Sequence, residues 1–436
     1  MTNLESESKL VESGCNMDYI NRSLEQKILS AQKNFKAVLV TGARQTGKST
    51  MLKKVFPDKK YVTFDDPFIE EQARESTDMF MALNQPPIIF DEVLRVPELF
   101  RYIKIQCDES DERGLFYLSG SQPFRLMRNV SESLSGRVCI IELSALSLRE
   151  IQRESFDLPF LPTMEYILQR QKTVKKPNNI WEIIHRGGYP ELYQNPNLDW
   201  QSFYASYVKT YLERDVRELS AVQDLDAFRR FMIAVAARTG QMINYSNIAA
   251  EISRDVSTVK NWISILEASG IIYLLEPYTP AVLKRAIKTP KVYFRDTGLA
   301  SYLTRWLTPD TLALGAMSGA MFETFVISEI LKSYANQGID YRYCVSYYRG
   351  KDKKRVKSNG EVNDIESEID LIIEENGILY PIEIKTNTSE KASATGAFQV
   401  LDKVVDKKRG MGAVISMCPE PGKLRENVLE IPVWYI

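Results

Sequence analysis

Histidine is almost absent from this chain: His185 is the only one among 436 residues. Cysteine is scarce as well. Cys15, Cys107, Cys139, Cys344 and Cys418 lie far apart, and none falls in a C-x-x-C pair or near His185. A disulfide scaffold or a zinc site is therefore excluded, and a reducing compartment fits. No apolar run approaches the roughly 20 residues that span a bilayer, so no membrane partner is expected. The opening residues MTNLESESKL are polar and partly acidic, unlike a secretory leader, and the cytoplasm is the expected location. Net charge is missing too. The 56 Lys and Arg against 57 Asp and Glu leave −1, so contact with nucleic acid would need a local patch.

What is present divides into three stretches: 1–152, 153–300 and 301–436. The first alternates strands with helices, which predicts an α/β domain with a parallel sheet. Its expected helix spans Tyr19 to Phe35, with Ile20, Leu24, Ile28 and Ala31 on one face. Its expected strands are Lys36–Thr41, Tyr61–Phe64, Ile88–Phe90, Gly114–Ser119 and Val138–Leu143. A second helix runs from Ser49 to Val55. Beyond Glu150 the chain turns helical and aromatic-rich, interrupted by Arg186-Gly187-Gly188-Tyr189-Pro190. His185 beside that glycine pair reads as structural. Tyr204, Tyr207 and Tyr211 have the spacing of a packed helix face.

Between the first strand and the second helix lies Gly42-Ala43-Arg44-Gln45-Thr46-Gly47-Lys48-Ser49-Thr50, which matches G-x-x-x-x-G-K-[ST] completely. Such a loop turns successive backbone N–H groups toward a phosphate chain. Lys48 can reach the outer phosphates, and the Ser49 hydroxyl can ligate magnesium. The helix that follows offers its positive end to the same anion. About forty residues on, the apolar run Pro87–Phe90 ends in Asp91-Glu92. Asp91 is the candidate magnesium ligand and Glu92 the candidate general base. A polar residue from Ser119-Gly120-Ser121-Gln122, at the tip of the next strand, is expected between the magnesium site and the γ-phosphate. Arg137 is a candidate cation for transition-state charge, in cis or from a neighbouring subunit. ATP and Mg2+ are the expected cofactors.

Together, LVTGARQTGKST, PPIIFDEVLRVPELF, FYLSGSQPF, SESLSGRV, RGGYPELY, YLERDVREL, PKVYFRDTGLASYL and YPIEIK resemble a prokaryotic family of AAA-type ATPases with a C-terminal restriction-endonuclease-like domain. The resemblance implies a sensor role for Ser121 and an arginine-finger role for Arg137. Leu94 stands where the family commonly has Gln, so no sensing amide is expected there.

Two further constellations follow. Residues Ile243–Ile252, entered through Asn244, and Ser257–Ser269, with Ser257 as N-cap, read as a helix-turn-helix with Val259, Ile263 and Leu266 inward. Gly270 ends the second helix. A hairpin of Ile271–Glu276 and Lys291–Phe294 would carry a wing holding Lys284, Arg285 and Lys288. This winged-helix pattern suits DNA, with Lys260 and Asn261 exposed; such units also serve as lids and protein interfaces. In the last stretch, a helix Ala320–Lys332 precedes expected strands at Asp340–Cys344, Ile369–Glu374, Leu379–Lys385 and Gly412–Ser416. The basic run of Arg349, Lys351, Lys353, Lys354, Arg355 and Lys357 lies between them. Asp370, Glu383 and Lys385 form D…E-x-K on a hairpin, with Glu323 from the helix as a fourth member. The set resembles a PD-(D/E)XK nuclease core and is a possible second Mg2+ site. The expected function is ATP hydrolysis driving a conformational switch that acts on DNA. The alternative is a regulatory or defence ATPase that engages a protein partner through a silent nuclease-like domain. A homo-oligomer is compatible with either.

Overall fold

Strand β1 (Ala37–Thr41) is buried along its whole length, as its unbroken apolar run predicts. Ala37 and Leu39 pack into one core while Val38 and Val40 pack into another, because successive strand residues face opposite sides. Strands β2 (Lys60–Thr63), β3 (Ile88–Asp91), β4 (Phe116–Ser119) and β5 (Val138–Glu142) join it in a five-stranded sheet of order β2-β3-β4-β1-β5. Every pairing is parallel. All five strands therefore end at one edge, which gathers Thr41, Thr63, Asp91, Ser119 and Glu142. The computed structural model describes residues 19–121, 134–211, 216, 224–279, 289–356, 362–386 and 395–436, with backbone alone at 351–356 and 362–365. Gln122, the wing residues Lys284, Arg285 and Lys288, and Lys357 lie outside the described residues.

The first helix begins at Glu25 rather than Tyr19 and ends at Asn34. It buries Ile28 and Ala31, with Leu24 just ahead of it, against the Val38/Val40 face. In the middle stretch Asn244 caps the helix Tyr245–Ile252 by accepting the Asn247 N–H at 3.0 Å. The next helix is Val256–Ala268, so the residue at its N-cap is Asp255 and not Ser257. Val259, Ile263 and Leu266 are buried as expected, whereas Lys260 and Asn261 face solvent. Strands β6 (Gln241–Met242), β7 (Ile272–Leu275) and β8 (Lys291–Phe294) form a small antiparallel sheet of order β6-β8-β7.

The C-terminal sheet contains β9 (Val345–Val356), β10 (Val362–Glu375), β11 (Ile378–Ile384), β12 (Lys408–Arg409), β13 (Gly412–Ser416), β14 (Gly422–Arg425) and β15 (Val428–Pro432). Its order is β14-β15-β13-β11-β10-β9, with β12 on β11. Two expectations change here. Asp340–Cys344 is not a strand; Asp340 instead caps a single short turn, Tyr341–Tyr343, by accepting the Arg342 N–H at 3.2 Å. Most of the basic run from Arg349 is a strand, because β9 pairs antiparallel with β10 over nearly its whole length. The helix Ser318–Ala335 lies against both the middle and the C-terminal sheets, and one continuous core includes residues from Leu148 to Ile436. His185 and the three tyrosines belong to that packing: the His185 ring stacks on Trp200, and Tyr204, Tyr207 and Tyr211 are buried. Among the described residues no helix is long and apolar enough to cross a membrane.

Candidate nucleotide site

The loop after β1 is held by backbone geometry that most residues avoid. Gly42, Gln45 and Gly47 have φ of 139°, 59° and 89°. A Cβ at Gly42 would stand 2.2 Å from the Leu143 carbonyl oxygen, so only glycine fits where the loop passes the end of β5. The loop leads straight into the helix Lys48–Val55. The Lys48 ammonium donates to the carbonyls of Gly42 at 3.1 Å and Ala43 at 2.9 Å, which places its charge over the mouth of the loop.

Asp91 ends β3 and is 4% exposed. Its Oδ1 accepts the Ser49 hydroxyl at 2.7 Å and the Ser119 hydroxyl; its Oδ2 accepts Tyr61 Oη at 2.5 Å and Thr63 Oγ1 at 3.5 Å. Burial and the Asp91 carboxylate push the Tyr61 phenol well above its ordinary range, so it remains a donor. The Ser49–Asp91 contact brings the two expected magnesium ligands together. The hydroxyls of Tyr61 and Thr63 were not foreseen, whereas Ser119 comes from the strand tip where a polar residue was expected. Thr63 ends β2 beside β3, where polar residues meet the ligand crevice, and that position was the available signal; Tyr61, two residues earlier, carried none.

Glu92 has a left-handed backbone, φ 52° and ψ 43°. This turn swings its carboxylate across to the next strand tip, where Oε2 accepts both the Ser121 N–H and hydroxyl at 3.3 Å. Burial pushes the Glu92 carboxyl up, the Lys48 ammonium and Arg44 guanidinium oppose that, and the net shift is upward. A base above the ordinary carboxylate range binds protons more strongly, as proton abstraction near neutral pH requires. Ser121 is thus brought to Glu92, whereas Ser119 is the residue at Asp91.

Arg137 is placed elsewhere. Its carbonyl accepts the N–H of Ala37, the first residue of β1, while the phosphate loop follows the last. Five strand residues separate the two ends by about 16 Å. The Arg137 guanidinium pairs with Asp108 on the far edge at 2.5 Å. In this arrangement Arg137 lies about a strand length from the phosphate loop of its own chain.

Three of the four C-terminal candidates, Glu323, Glu383 and Lys385, sit around the fourth, Asp370. Lys385 Nζ lies 2.7 Å from Glu383 Oε1 and 3.7 Å from Asp370 Oδ2, and the Ile384 N–H donates to Asp370 Oδ2 at 2.8 Å. Glu323 accepts Tyr293 Oη at 2.6 Å and faces Lys291 Nζ at 3.4 Å. Burial, with the Asp370 charge adding to it, drives the Glu323 and Glu383 carboxyls up. Asp370 and Glu383 are each 6% exposed, and Glu383 Oε2 has no hydrogen-bond partner. Lys291, which sequence reading missed because it opens a strand assigned to the wing, is buried between Glu323 and Glu368. Among the described residues no group of three or more His, Cys, Asp or Glu side chains is arranged to hold a metal ion. The phosphate-loop site does not need one, since magnesium there is commonly bound by one or two protein groups together with phosphates and water.

Comparison with known proteins agrees with this geometry at the N-terminal end. Residues 34–152 match the family described as an AAA domain, which supports an AAA-type, ATP-binding reading of this α/β stretch. Residues 177–310 match a domain of unknown function, DUF8612. An uncharacterized protein of Mycobacterium tuberculosis is 27% identical over 369 residues, 84% of this chain and 74% of its own length. One from Mycobacterium bovis matches to the same extent. Among solved structures, a Walker-type ATPase of Pyrococcus abyssi is 15% identical and covers 66% of this chain and 97% of its own, with a TM-score of 0.40. A signal transduction ATPase of Pyrococcus horikoshii is 12% identical and covers 72% of this chain and 47% of its own, with a TM-score of 0.24.

Proposed function

We propose that the protein hydrolyses ATP and uses the nucleotide cycle to move the stretches that follow its ATPase domain. The observation that carries this reading is the pairing of two contacts at one sheet edge. Ser49 meets Asp91 at 2.7 Å, and Glu92 meets Ser121 at 3.3 Å. When bound, magnesium would supply charge to the outer phosphates. Ser49 and Asp91 are the residues that would hold it, the donor set being one hydroxyl and one carboxylate already in contact. Ser121 fixes Glu92 Oε2 and so aims the carboxylate to take a proton from water. Lys48 and the backbone of Gly42–Thr50 hold the phosphates.

The output side rests on contacts around the loop. Gly270, which ends the second helix of the middle stretch, packs beside Ala43: a Cβ on it would lie 3.6 Å from the Ala43 Cβ. Arg295, just after β8, pairs with Glu142 at the end of β5 and with the Tyr341 hydroxyl. A winged-helix unit at 243–294 and a nuclease-like domain at 301–436 are the elements such contacts would reposition. DNA contact through Lys260, Asn261 and the basic run is one target. Arg137 would act on a neighbouring subunit's site.

For the C-terminal domain the burial of Asp370 and Glu383, with lysines already against the carboxylates, favours the second reading. In it the domain is catalytically silent and the ATPase engages a protein partner. Two assays separate the readings. Lys48→Ala and Glu92→Gln should abolish ATP turnover; turnover at the parent rate in both sinks the ATPase proposal. A magnesium-dependent cleavage assay on DNA and RNA, with and without ATP, should show no cutting that Asp370→Ala removes. Cutting lost in that variant would restore the nuclease reading.

A further inference from the structure

Arg22 belongs to no motif, lies twenty residues before the phosphate loop, and is nonetheless buried beside it at 5% exposure. Its guanidinium makes three contacts in three directions. Nη1 donates to the Thr46 carbonyl at 2.7 Å, Nη2 to the Ser144 carbonyl at 2.7 Å, and Nε to Glu150 Oε1 at 3.0 Å. Glu150 is equally fixed. It accepts the Ser23 N–H at 2.9 Å and the Ser147 N–H at 2.8 Å, and closes a capping box on the helix Leu148–Ile151. Burial pushes the Glu150 carboxyl up, but Arg22 and these N–H donors outweigh it and hold the group ionised.

The first contact bears directly on nucleotide binding. Thr46 is 1% exposed and stands between Gln45 and Gly47, both with positive φ. A trans peptide unit is planar, with its C=O and N–H pointing opposite ways. Holding the Thr46 carbonyl outward therefore aims the Gly47 N–H inward, to where a phosphate oxygen would lie in such a loop. Without Arg22, a carbonyl in a strained turn would lose its charged donor, and the peptide plane would be free to rotate. The other two contacts tie the same guanidinium to segment 144–150. That segment is bonded onward: the Leu148 N–H donates to Glu329 at 2.8 Å, and Lys332 donates to the Leu146 carbonyl at 2.9 Å. A planar five-donor fork can serve three acceptors in fixed directions, which a lysine ammonium on a flexible stem cannot.

We propose that Arg22 is a positioning residue for the phosphate loop, setting the Thr46–Gly47 peptide for phosphate and joining the loop to the segment that leads out of the ATPase domain. This rests on the ATP-binding reading above. The test is titration with a fluorescent ATP analogue, the matching ADP analogue and unphosphorylated adenosine, together with ATP turnover and thermal unfolding, on the full chain. The variants are Arg22→Ala, Arg22→Lys and Lys48→Ala. Arg22→Ala should weaken ATP and ADP binding in parallel by about 10- to 100-fold, the size of one lost charged hydrogen bond plus its unpaired acceptor, and leave adenosine binding unchanged. Arg22→Lys should fall between, at roughly 3- to 10-fold. If either folded variant binds both nucleotides as the parent does and only its melting temperature falls, Arg22 is structural and the proposal is overturned. Should Arg22→Ala not fold, the lysine variant alone decides. If the parent protein binds no ATP and Lys48→Ala changes nothing, the ATP-binding reading has failed instead.

Discussion

Arg170 offers the sharpest energetic test of how the C-terminal strands are fastened to the segment leaving the ATPase domain. Its side chain is fully buried and pairs with Glu154, also fully buried. It also donates to the carbonyls of Tyr435 at 3.2 Å and Trp434 at 3.1 Å and to Thr173 Oγ1 at 3.2 Å. Arg170→Met keeps much of the packing but strands the Glu154 carboxylate in the core. Removing one partner of a buried pair costs about 3–5 kcal/mol, mostly because the other charge is left uncompensated. At about 2–4 °C per kcal/mol for a unit of this size, the first unfolding transition should fall by roughly 6–20 °C. Adding Glu154→Leu removes the stranded charge, and the double variant should recover at least half of the loss. Trp434, 5% exposed and next to these contacts, is a fluorescence probe for the urea transition. A loss below about 1 kcal/mol in the single variant would refute the reasoning. So would a double variant no better than the single, since the cost would then lie in the carbonyl contacts and not in the charge.

Four further outcomes are expected. Gly42→Ala drives a Cβ to 2.2 Å from the Leu143 carbonyl, so binding of a fluorescent ATP analogue should be lost while the far-ultraviolet circular dichroism stays near the parent's. Tyr61→Phe removes one of the four hydroxyl donors to Asp91; the magnesium needed for half-maximal ATP turnover should change severalfold, by about the 1.5–3 kcal/mol range of a hydrogen bond to a charged group at most. Because Glu92 is shifted upward and must be ionised to act, turnover should rise with pH through a limb above the ordinary carboxylate range, and Glu92→Gln should abolish that limb; a flat profile in the parent counts against Glu92 as base. Because Arg137 sits a strand length from its own loop, Arg137→Ala should leave ATP affinity unchanged in dilute protein; any loss of turnover should be matched by a parent rate per subunit that rises with protein concentration.

The parts of the site that were legible in the sequence are those whose signals are local. The run KAVLVT, the glycine loop and the apolar strand ending in Asp91-Glu92 each declare their structure within ten residues, and each folds as read. Asn244 as a helix cap is equally local. What escaped depends on neighbours distant in the chain. Tyr61 and Thr63 reach Asp91 only because strand order places β2 beside β3. Arg22 reaches Thr46 only because its segment folds back over the loop. The β9 strand was hidden for another reason. Its charged residues do not alternate with apolar ones, so period-two hydrophobicity, the usual mark of a half-buried strand, is missing. Asp340–Cys344 misled in the opposite sense: a strand was expected, but the Asp340 side chain takes the Arg342 N–H and closes a turn instead.

The helix Ser318–Ala335 gives these local contacts a common consequence. Near its C-terminal end Glu329 and Lys332 bond the main chain at Leu148 and Leu146, directly after the last strand of the ATPase sheet. One residue before Glu329 the Ser328 hydroxyl donates to the Arg295 carbonyl at 2.9 Å, while the Arg295 side chain reaches back to Glu142. Further along, Thr324 meets Thr239 at 2.8 Å, and Glu323 holds Tyr293 and Lys291 beside the Asp370 group. A helix rises about 1.5 Å per residue, so Glu323 and Lys332 are only about 14 Å apart on one rigid element. Most of these contacts are buried, so breaking several at once would cost a large share of an ordinary domain's stability. A shift of segment 144–150 must therefore either carry the helix with it, and the Asp370 group too, or be resisted by it. Arg22 is the residue that joins segment 144–150 to the phosphate loop. A double-mutant cycle between Arg22→Lys and Glu329→Gln, read out as ATP affinity, measures whether the loop and the helix are coupled at all. A coupling energy within about 0.3–0.5 kcal/mol of zero would mean that the loop and the helix act independently.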